Sequence, residues 1–170
     1  LSAFKQACER LPQFSWRLRL IGAGRLRPKL EAKANQLSIG PAVEFLGHVD
    51  DPFPLLAQSD IFVLPSRSEG ISNALLEAMA HGLPCIVTNI AGNNDVIVHN
   101  ENGLLVNLDD DEELAAALIF LATDQELRET LGEGAVRTVR EKYSIDSVAD
   151  RYLALYADLL QTDADIQKQR

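Results

Sequence analysis

A chain of 170 residues has room for one domain with a real core, and 46% apolar with 24% charged residues is an ordinary globular balance. The net charge of −9 argues against a nucleic-acid partner, which needs a basic face. No signal peptide is visible and the longest apolar run, residues 114–122, is too short to cross a bilayer, so the reading is cytoplasmic.

In chain order, Phe4, Ala7, Cys8 and Leu11 fall at helical spacing, and Pro12 stops that helix. Residues 16–21 read as a strand. Gly22-Ala23-Gly24 turns the chain into a helix over 28–37, with Pro28 in the first turn where proline is tolerated. The cluster Arg17, Arg19, Arg25, Arg27 and Lys29 reads first as a solvated strand face and helix start, and second as charge for a diphosphate. A short strand at 43–46 ends at Gly47. A helix over 52–58, a buried strand over 60–64 and a helix over 72–81 follow. Residues 85–88 are a strand, 89–94 a loop, 95–98 a helical turn and 103–106 the last strand. Helices cover 110–122, 124–142 and 145–160, and the polar tail 161–170 is expected to fray. Cys8 and Cys85 lack CxxC spacing and read as reduced thiols, Cys85 buried. The first residue is Leu1, not methionine, so the chain reads as a fragment.

Alternating strands and helices predict an α/β fold: a doubly wound parallel sheet of five strands, helices on both faces and a helical C-terminal extension. In such sheets ligands bind at the carboxyl ends of the strands. That end falls at the run SRSEGISNALLEAMAHGLP, residues 66–84. Glu69 sits at a strand-to-helix turn, and Glu77, with seven residues between, lies inside the helix that the turn opens. If the interval were all helix, the two would stand about 12 Å apart along the axis and about 80° apart around it. Such a spacing suits the two hydroxyl-rich ends of one ligand better than a single proton-transfer centre. Gly70, Ile71, Ser72 and Asn73 present backbone N–H groups that helix geometry leaves unpaired. Asn73 also reads as a helix cap, Glu69 as an acid that merely caps the helix amino terminus, and Glu77 as an ordinary helix-surface acid. None of His48, His81 and His99 has metal-ligand spacing, so no metal or other cofactor is read.

The run resembles the E-x7-E motif of retaining glycosyltransferases with the GT-B fold, group 1 or family 4 type. The resemblance covers nearly the whole chain, through LIGAGRLRPKLE (20–31), VEFLGHVDD (43–51), SDIFVLPS (59–66), EAMAHGLPCIVTNIAGNNDVI (77–97) and NGLLV (102–106), in the family's order and spacing. It implies that residues 1–160 are the Rossmann-like, donor-binding half of that fold. A central first strand, the loop after it bearing an arginine and a lysine, and the N-terminal acceptor-binding domain would then lie outside the chain. It implies a nucleoside diphosphate sugar as substrate and the N-terminal domain as partner, with peripheral membrane association through that domain. By the same resemblance Glu69 contacts the transferred sugar, Glu77 the ribose hydroxyls, Gly22 and Gly24 the turn below the diphosphate, and Gly47, His48 and Val49 the base. Ser72 stands where the family often has glycine or proline. In residues 89–95 (NIAGNND), Ala91 and Asp95 replace a glycine and a glutamate. Asp95 then reads as a cap for the next helical turn. The implied reaction moves a sugar to a hydroxyl acceptor with retained configuration, and a fragment lacking the acceptor half would be inactive. NALLEAMAHG resembles bacterial enzymes that build surface polysaccharides or lipid-linked oligosaccharides, often from UDP sugars. Two alternatives stay open: a non-catalytic nucleotide-binding module, and a sugar-nucleotide epimerase of the same architecture. Loss of the central strand would leave a seam. The seam is expected to be filled, by upstream residues, by another chain, or by strand 16–21 pairing directly with strand 60–64.

Overall fold

The computed structural model describes residues 1–168, with side chains through Gln161. Among the described residues, five parallel strands alternate with helices as expected, and three of the eight α-helices follow the last strand. β1 (Leu18–Ile21) pairs with β2 (Val43–Gly47), Leu18 opposite Val43 and Leu20 opposite Phe45. β3 (Phe62–Leu64) pairs with β4 (Cys85–Thr88), and β4 with β5 (Leu104–Val106).

β4 is the centre of its sheet and is buried on both faces, as a parallel strand requires. Its period of two sends Cys85 and Val87 to one layer and Ile86 to the other. The first layer holds Leu75, Ala78 and Met79 of α4 (Asn73–Ala80) and Ala135 of α7 (Gln125–Thr138). The second holds Ala7 of α1 (Ser2–Arg10) and Leu118 and Leu121 of α6 (Asp111–Thr123). Helices thus cover both faces of the sheet. Leu75 and Met79 are fully buried, each worth about 1.5–3 kcal/mol of transfer free energy.

A third apolar cluster gathers Phe4, Ala34, Ile39 and Val43 under β1, β2 and α2 (Arg27–Gln36). Trp16 lies outside β1, although the sequence placed it in the strand. It packs against both this cluster and the α1/α6 layer, with its ring edge-on to Phe4.

The seam departs from expectation. Among the described residues no ladder joins β1 to β3, so the direct pairing of strands 16–21 and 60–64 does not form. The other two fillers lie outside this chain. β1 is held by β2 and by the helices beneath it, and β3 by β4. Among the described residues the two units are linked by Trp16 and by α1, which sends Phe4 to one cluster and Ala7 to the other, and β1 and β3 stay half-exposed while β4 is buried.

The element ends shift by a few residues. α3 is one turn, Phe53–Leu56, and α5 is Asn93–Val96. α7 gives way at Val139 to a π-helical turn, Val139–Tyr143, whose Tyr143 hydroxyl donates to the Asp95 carbonyl at 2.9 Å. Ser144 breaks the helix with ψ 152°, and α8 runs from Ile145 to Lys168, past the 160 at which the sequence reading ended it. The expected fraying of 161–170 is therefore not seen up to Lys168, and residues 169–170 lie outside the described residues.

Candidate functional site

The loops that carry the candidate residues leave the carboxyl ends of the parallel strands, and they gather in two groups. The first joins β1 and β2. Gly22 adopts φ +130° and its N–H donates to the Gly47 carbonyl at 2.7 Å, while Gly47 adopts φ +72°. Arg27 spans this corner: its Nη2 donates to the Phe45 carbonyl at 3.0 Å and its Nε to Glu31 at 2.7 Å. Gly24 is exposed, and a Cβ there would meet nothing within 4 Å. His48 is exposed with Nε2 3.2 Å from Asp50, and Val49 is half-buried. Arg17 and Arg19 both face Glu44 across the strands, as a solvated strand face would. Arg25 and Lys29 are exposed and carry no ion pair among the described residues.

The second group is built on Glu69. β3 ends at Leu64, Pro65 limits the backbone, and Ser66 begins the turn. The Ser66 hydroxyl donates to Glu69 Oε1 at 2.7 Å. The Ser66 carbonyl accepts from Thr88 Oγ1 at 2.5 Å, which ties the turn to the end of β4. Asn93 Nδ2 then donates to the Thr88 carbonyl at 2.9 Å and approaches Thr88 Oγ1 at 3.3 Å. Asn93 is fully buried, and its Oδ1 has no partner among the described residues. The 89–95 loop also touches the turn directly. Gly92 adopts φ +85°, and a Cβ on it would collide with the carbonyls of Gly70 and Glu69. Only glycine admits both the positive φ and this approach.

α4 opens four residues past Glu69. Ser72 is the N-cap position with ψ 120°, and no side chain caps the helix. Asn73, expected as a possible cap, is instead the first helical residue. The N–H groups of the first turn are thus left for an acceptor from outside. Gly70, Ile71 and Asn73 are exposed and Ser72 is half-buried. Glu77 is half-buried one turn along, and its carboxylate has no hydrogen bond or ion pair among the described residues. Its carbonyl accepts from the His81 N–H at 3.2 Å, and His81 stacks on Phe53 with centroids 5.0 Å apart. Because only Asn73–Ala80 is helical, the all-helix ruler between Glu69 and Glu77 does not apply. Asp95 lies inside α5 with Gly92 at the N-cap, so the expected capping role fails. The glycine turn, not a carboxylate, sets that helix start.

A cavity of about 150 Å³ lies beside this turn, lined in part by Arg67, Thr88, Asn107 and Asp109, with an Arg67–Asp109 ion pair of 2.6 Å linking two of its loops. A larger open hollow of about 640 Å³ lies between Gly82 and α7, at the amino end of β4, and holds none of the candidate residues. The convergent loops and unpartnered polar groups of the candidate site lie at the carboxyl ends instead.

Ser66, Thr88 and Asn93 were missed as site residues in the sequence. The spacing Ser66-x-x-Glu69 was a usable signal, since a hydroxyl three residues before a carboxylate commonly bonds locally. No hydrogen bond or ion pair joins the two groups of loops among the described residues.

Parallel ladders with helices on both faces, and loops gathered at the strands' carboxyl ends, are the architecture of one half of a GT-B fold. The family model for glycosyl transferases group 1 matches residues 1–124. N-acetyl-alpha-D-glucosaminyl L-malate synthase of Bacillus anthracis is 36% identical over 147 residues, covering 86% of this chain and 39% of that protein. The lipopolysaccharide core biosynthesis glycosyltransferase LpsE of Rhizobium meliloti is 35% identical over 153 residues, covering 89% and 44%. The Anabaena Alr3699/HepE structure in complex with UDP superimposes with a TM-score of 0.82 at 20% identity, covering 92% of this chain and 44% of that one. The chain belongs to the group 1 glycosyltransferases, as a C-terminal domain of that family. It spans about two fifths of the length of these curated relatives.

Proposed function

We propose that this chain is the donor-binding half of a retaining glycosyltransferase that takes a sugar from a nucleoside diphosphate sugar to a hydroxyl acceptor. The observation that carries the reading is the state of the two glutamates. Glu69 is held by Ser66 through one carboxylate oxygen, and the Glu77 carboxylate has no hydrogen bond or ion pair among the described residues, so both keep acceptor capacity for a polyhydroxyl ligand. In this reading Glu69 takes hydroxyls of the sugar and Glu77 the ribose diol. The uncapped N–H groups from Gly70 to Asn73 face the leaving diphosphate, with Gly22, Gly24, Arg25 and Lys29 at the neighbouring corner. Gly47, His48 and Val49 border the base. The chain's contribution is positioning and stabilisation of the leaving group, with no covalent nucleophile and no metal or cofactor required of its own residues.

A uridine base is favoured by the UDP bound in the HepE structure, and a glycan or lipid-linked acceptor by the relation to LpsE. The malate-glucosaminylating relative keeps a small-molecule acceptor in view. An N-terminal domain would bind the acceptor, so the isolated chain would bind donor weakly and transfer nothing. Cytoplasmic work at the inner face of the membrane fits this chemistry. No helix among the described residues is long and apolar enough to cross a bilayer.

The test incubates the full-length protein with UDP and GDP sugars plus candidate acceptors. It measures nucleoside diphosphate release and the anomeric configuration of the product by NMR. Acceptor-dependent release with retained configuration is expected. Nucleotide binding without release would favour the non-catalytic module, and interconversion of the sugar nucleotide the epimerase.

A further inference from the structure

We propose that Ser66 is the positioning residue for Glu69, anchored from below by Thr88 and Asn93. This rests on the reading of Glu69 as a sugar-contacting residue. Glu69 sits in a turn that belongs to neither β3 nor α4, so neither ladder nor helix bonds orient it. A half-buried carboxylate on such a turn has two side-chain torsions free to carry it away from the site. The Ser66 hydroxyl removes that freedom by donating to Oε1 at 2.7 Å, a charge-assisted bond. It leaves Oε2 to the ligand.

A serine on a loose loop would position nothing. Ser66 is not loose, because its own carbonyl accepts from Thr88 Oγ1 at the buried end of β4. Thr88 in turn is held through its carbonyl and hydroxyl by Asn93 Nδ2, on a side chain with no exposed surface. Gly92, next to Asn93, lies so close to the Glu69 and Gly70 carbonyls that a Cβ on it would collide with both. The line Asn93–Thr88–Ser66–Glu69 therefore runs from a fully buried amide to the free edge of one carboxylate, and clamps the turn between the end of β4 and the 89–95 loop. Thr88 Oγ1 donates to Ser66 and so receives from Asn93, which orients each member in one sense. Such positioning supports the rate more than it supports binding of the nucleotide, since Glu69 is not assigned to the nucleotide.

The experiment uses the full-length transferase with Ser66→Ala, Ser66→Thr, Glu69→Gln and the double variant Ser66→Ala/Glu69→Gln. Steady-state kinetics, calorimetry with the bare nucleoside diphosphate and thermal unfolding are measured for each. A misplacement on the order of 1 Å costs about 100-fold in rate, so Ser66→Ala is expected to lower kcat about 10- to 100-fold. Nucleotide affinity and unfolding midpoint should stay near the parent, and Ser66→Thr, which keeps the hydroxyl, should recover most of the rate. Adding Ser66→Ala to Glu69→Gln should cost nothing further, because the two act as a unit.

Unchanged kcat in Ser66→Ala beside a crippled Glu69→Gln would overturn the positioning role and leave the proposed function standing. A full additional loss in the double variant, or a kcat loss matched by equal losses of nucleotide affinity and midpoint, would overturn it too. Unimpaired transfer in Glu69→Gln would remove Glu69 from the site, and the positioning role would fall with that reading.

Discussion

Glu77 and Glu69 differ in what surrounds their carboxylates, and that difference separates their expected behaviour. The Glu77 carboxylate has no intramolecular partner among the described residues, so replacing it removes little from the fold and much from a ligand that uses it. Hydrogen bonds to charged groups contribute about 1.5–3 kcal/mol. Glu77→Gln should weaken nucleoside diphosphate binding to the full-length protein by about that much, with the unfolding midpoint unmoved. Calorimetry showing unchanged affinity would take Glu77 out of the site. Glu69, in contrast, is part of a bonded turn, and its replacement should cut transfer far more than it cuts binding of the bare nucleotide. Legibility at this scale was uneven. The two glutamates and the glycines announced themselves by type and spacing. Thr88 and Asn93 did not, because a buried polar residue and a surface one look alike in a sequence, and only the fold brings β4's end against Ser66.

The elements that were read most closely were those whose pattern and burial agree. β4 was read as 85–88 and is Cys85–Thr88, since the apolar run Cys85–Val87 after Gly-Leu-Pro has only the buried core to occupy. α6 and α7 were each placed within a few residues at their starts, where Asp110 and Asp124 accept from the N–H groups of Glu113 and Leu127 at 2.8 and 2.9 Å. The end of α7 was missed because a π-turn carries no local signal: Val139–Tyr143 reads as ordinary helix, and the Tyr143–Asp95 bond that pins it is long-range. The burial of β4 also has a chemical consequence. Desolvation pushes the Cys85 thiol well above its usual range, and it also raises the Cys8 thiol, which is less buried. The folded chain should therefore leave Cys85 unlabelled by a thiol reagent at neutral pH, with labelling gated by unfolding. The linkage has a definite sign. The unfolded thiol ionises near about 8.5 and the folded one higher, so stability is intact below that pH and falls as pH rises through it. Denaturant titrations at pH 7 and pH 10 on Cys85→Ala and parent would check this. An equal pH dependence in the two would show that Cys85 is not its source.

At the scale of the whole molecule, the unjoined edges of β1 and β3 decide how this chain behaves on its own. Each presents backbone groups along one side with no ladder partner among the described residues, on strands that are half-exposed rather than buried. The same chain leaves Tyr152, Leu153, Leu155, Tyr156, Leu159 and Leu160 exposed along α8. Buried backbone groups without partners cost about 1–3 kcal/mol each, and a domain of ordinary stability, about 5–15 kcal/mol, cannot carry a long row of them. The edges must then either stay hydrated or be covered. Hydration is what the half-exposure of Leu18, Leu20, Phe62 and Leu64 indicates for this chain by itself. Open edges of this kind are also templates for pairing with another strand. Amide hydrogen exchange on the 170-residue chain at low concentration should find β4 protected on both sides and the free-edge amides of β1 and β3 exchanging far sooner. In a longer protein that supplies a strand between them, those amides should become as protected as Ile86 and Val87. Slow exchange at β1 and β3 in the dilute chain would show that its edges are already joined, and that the two ladders meet in solution in a way their separation here does not contain.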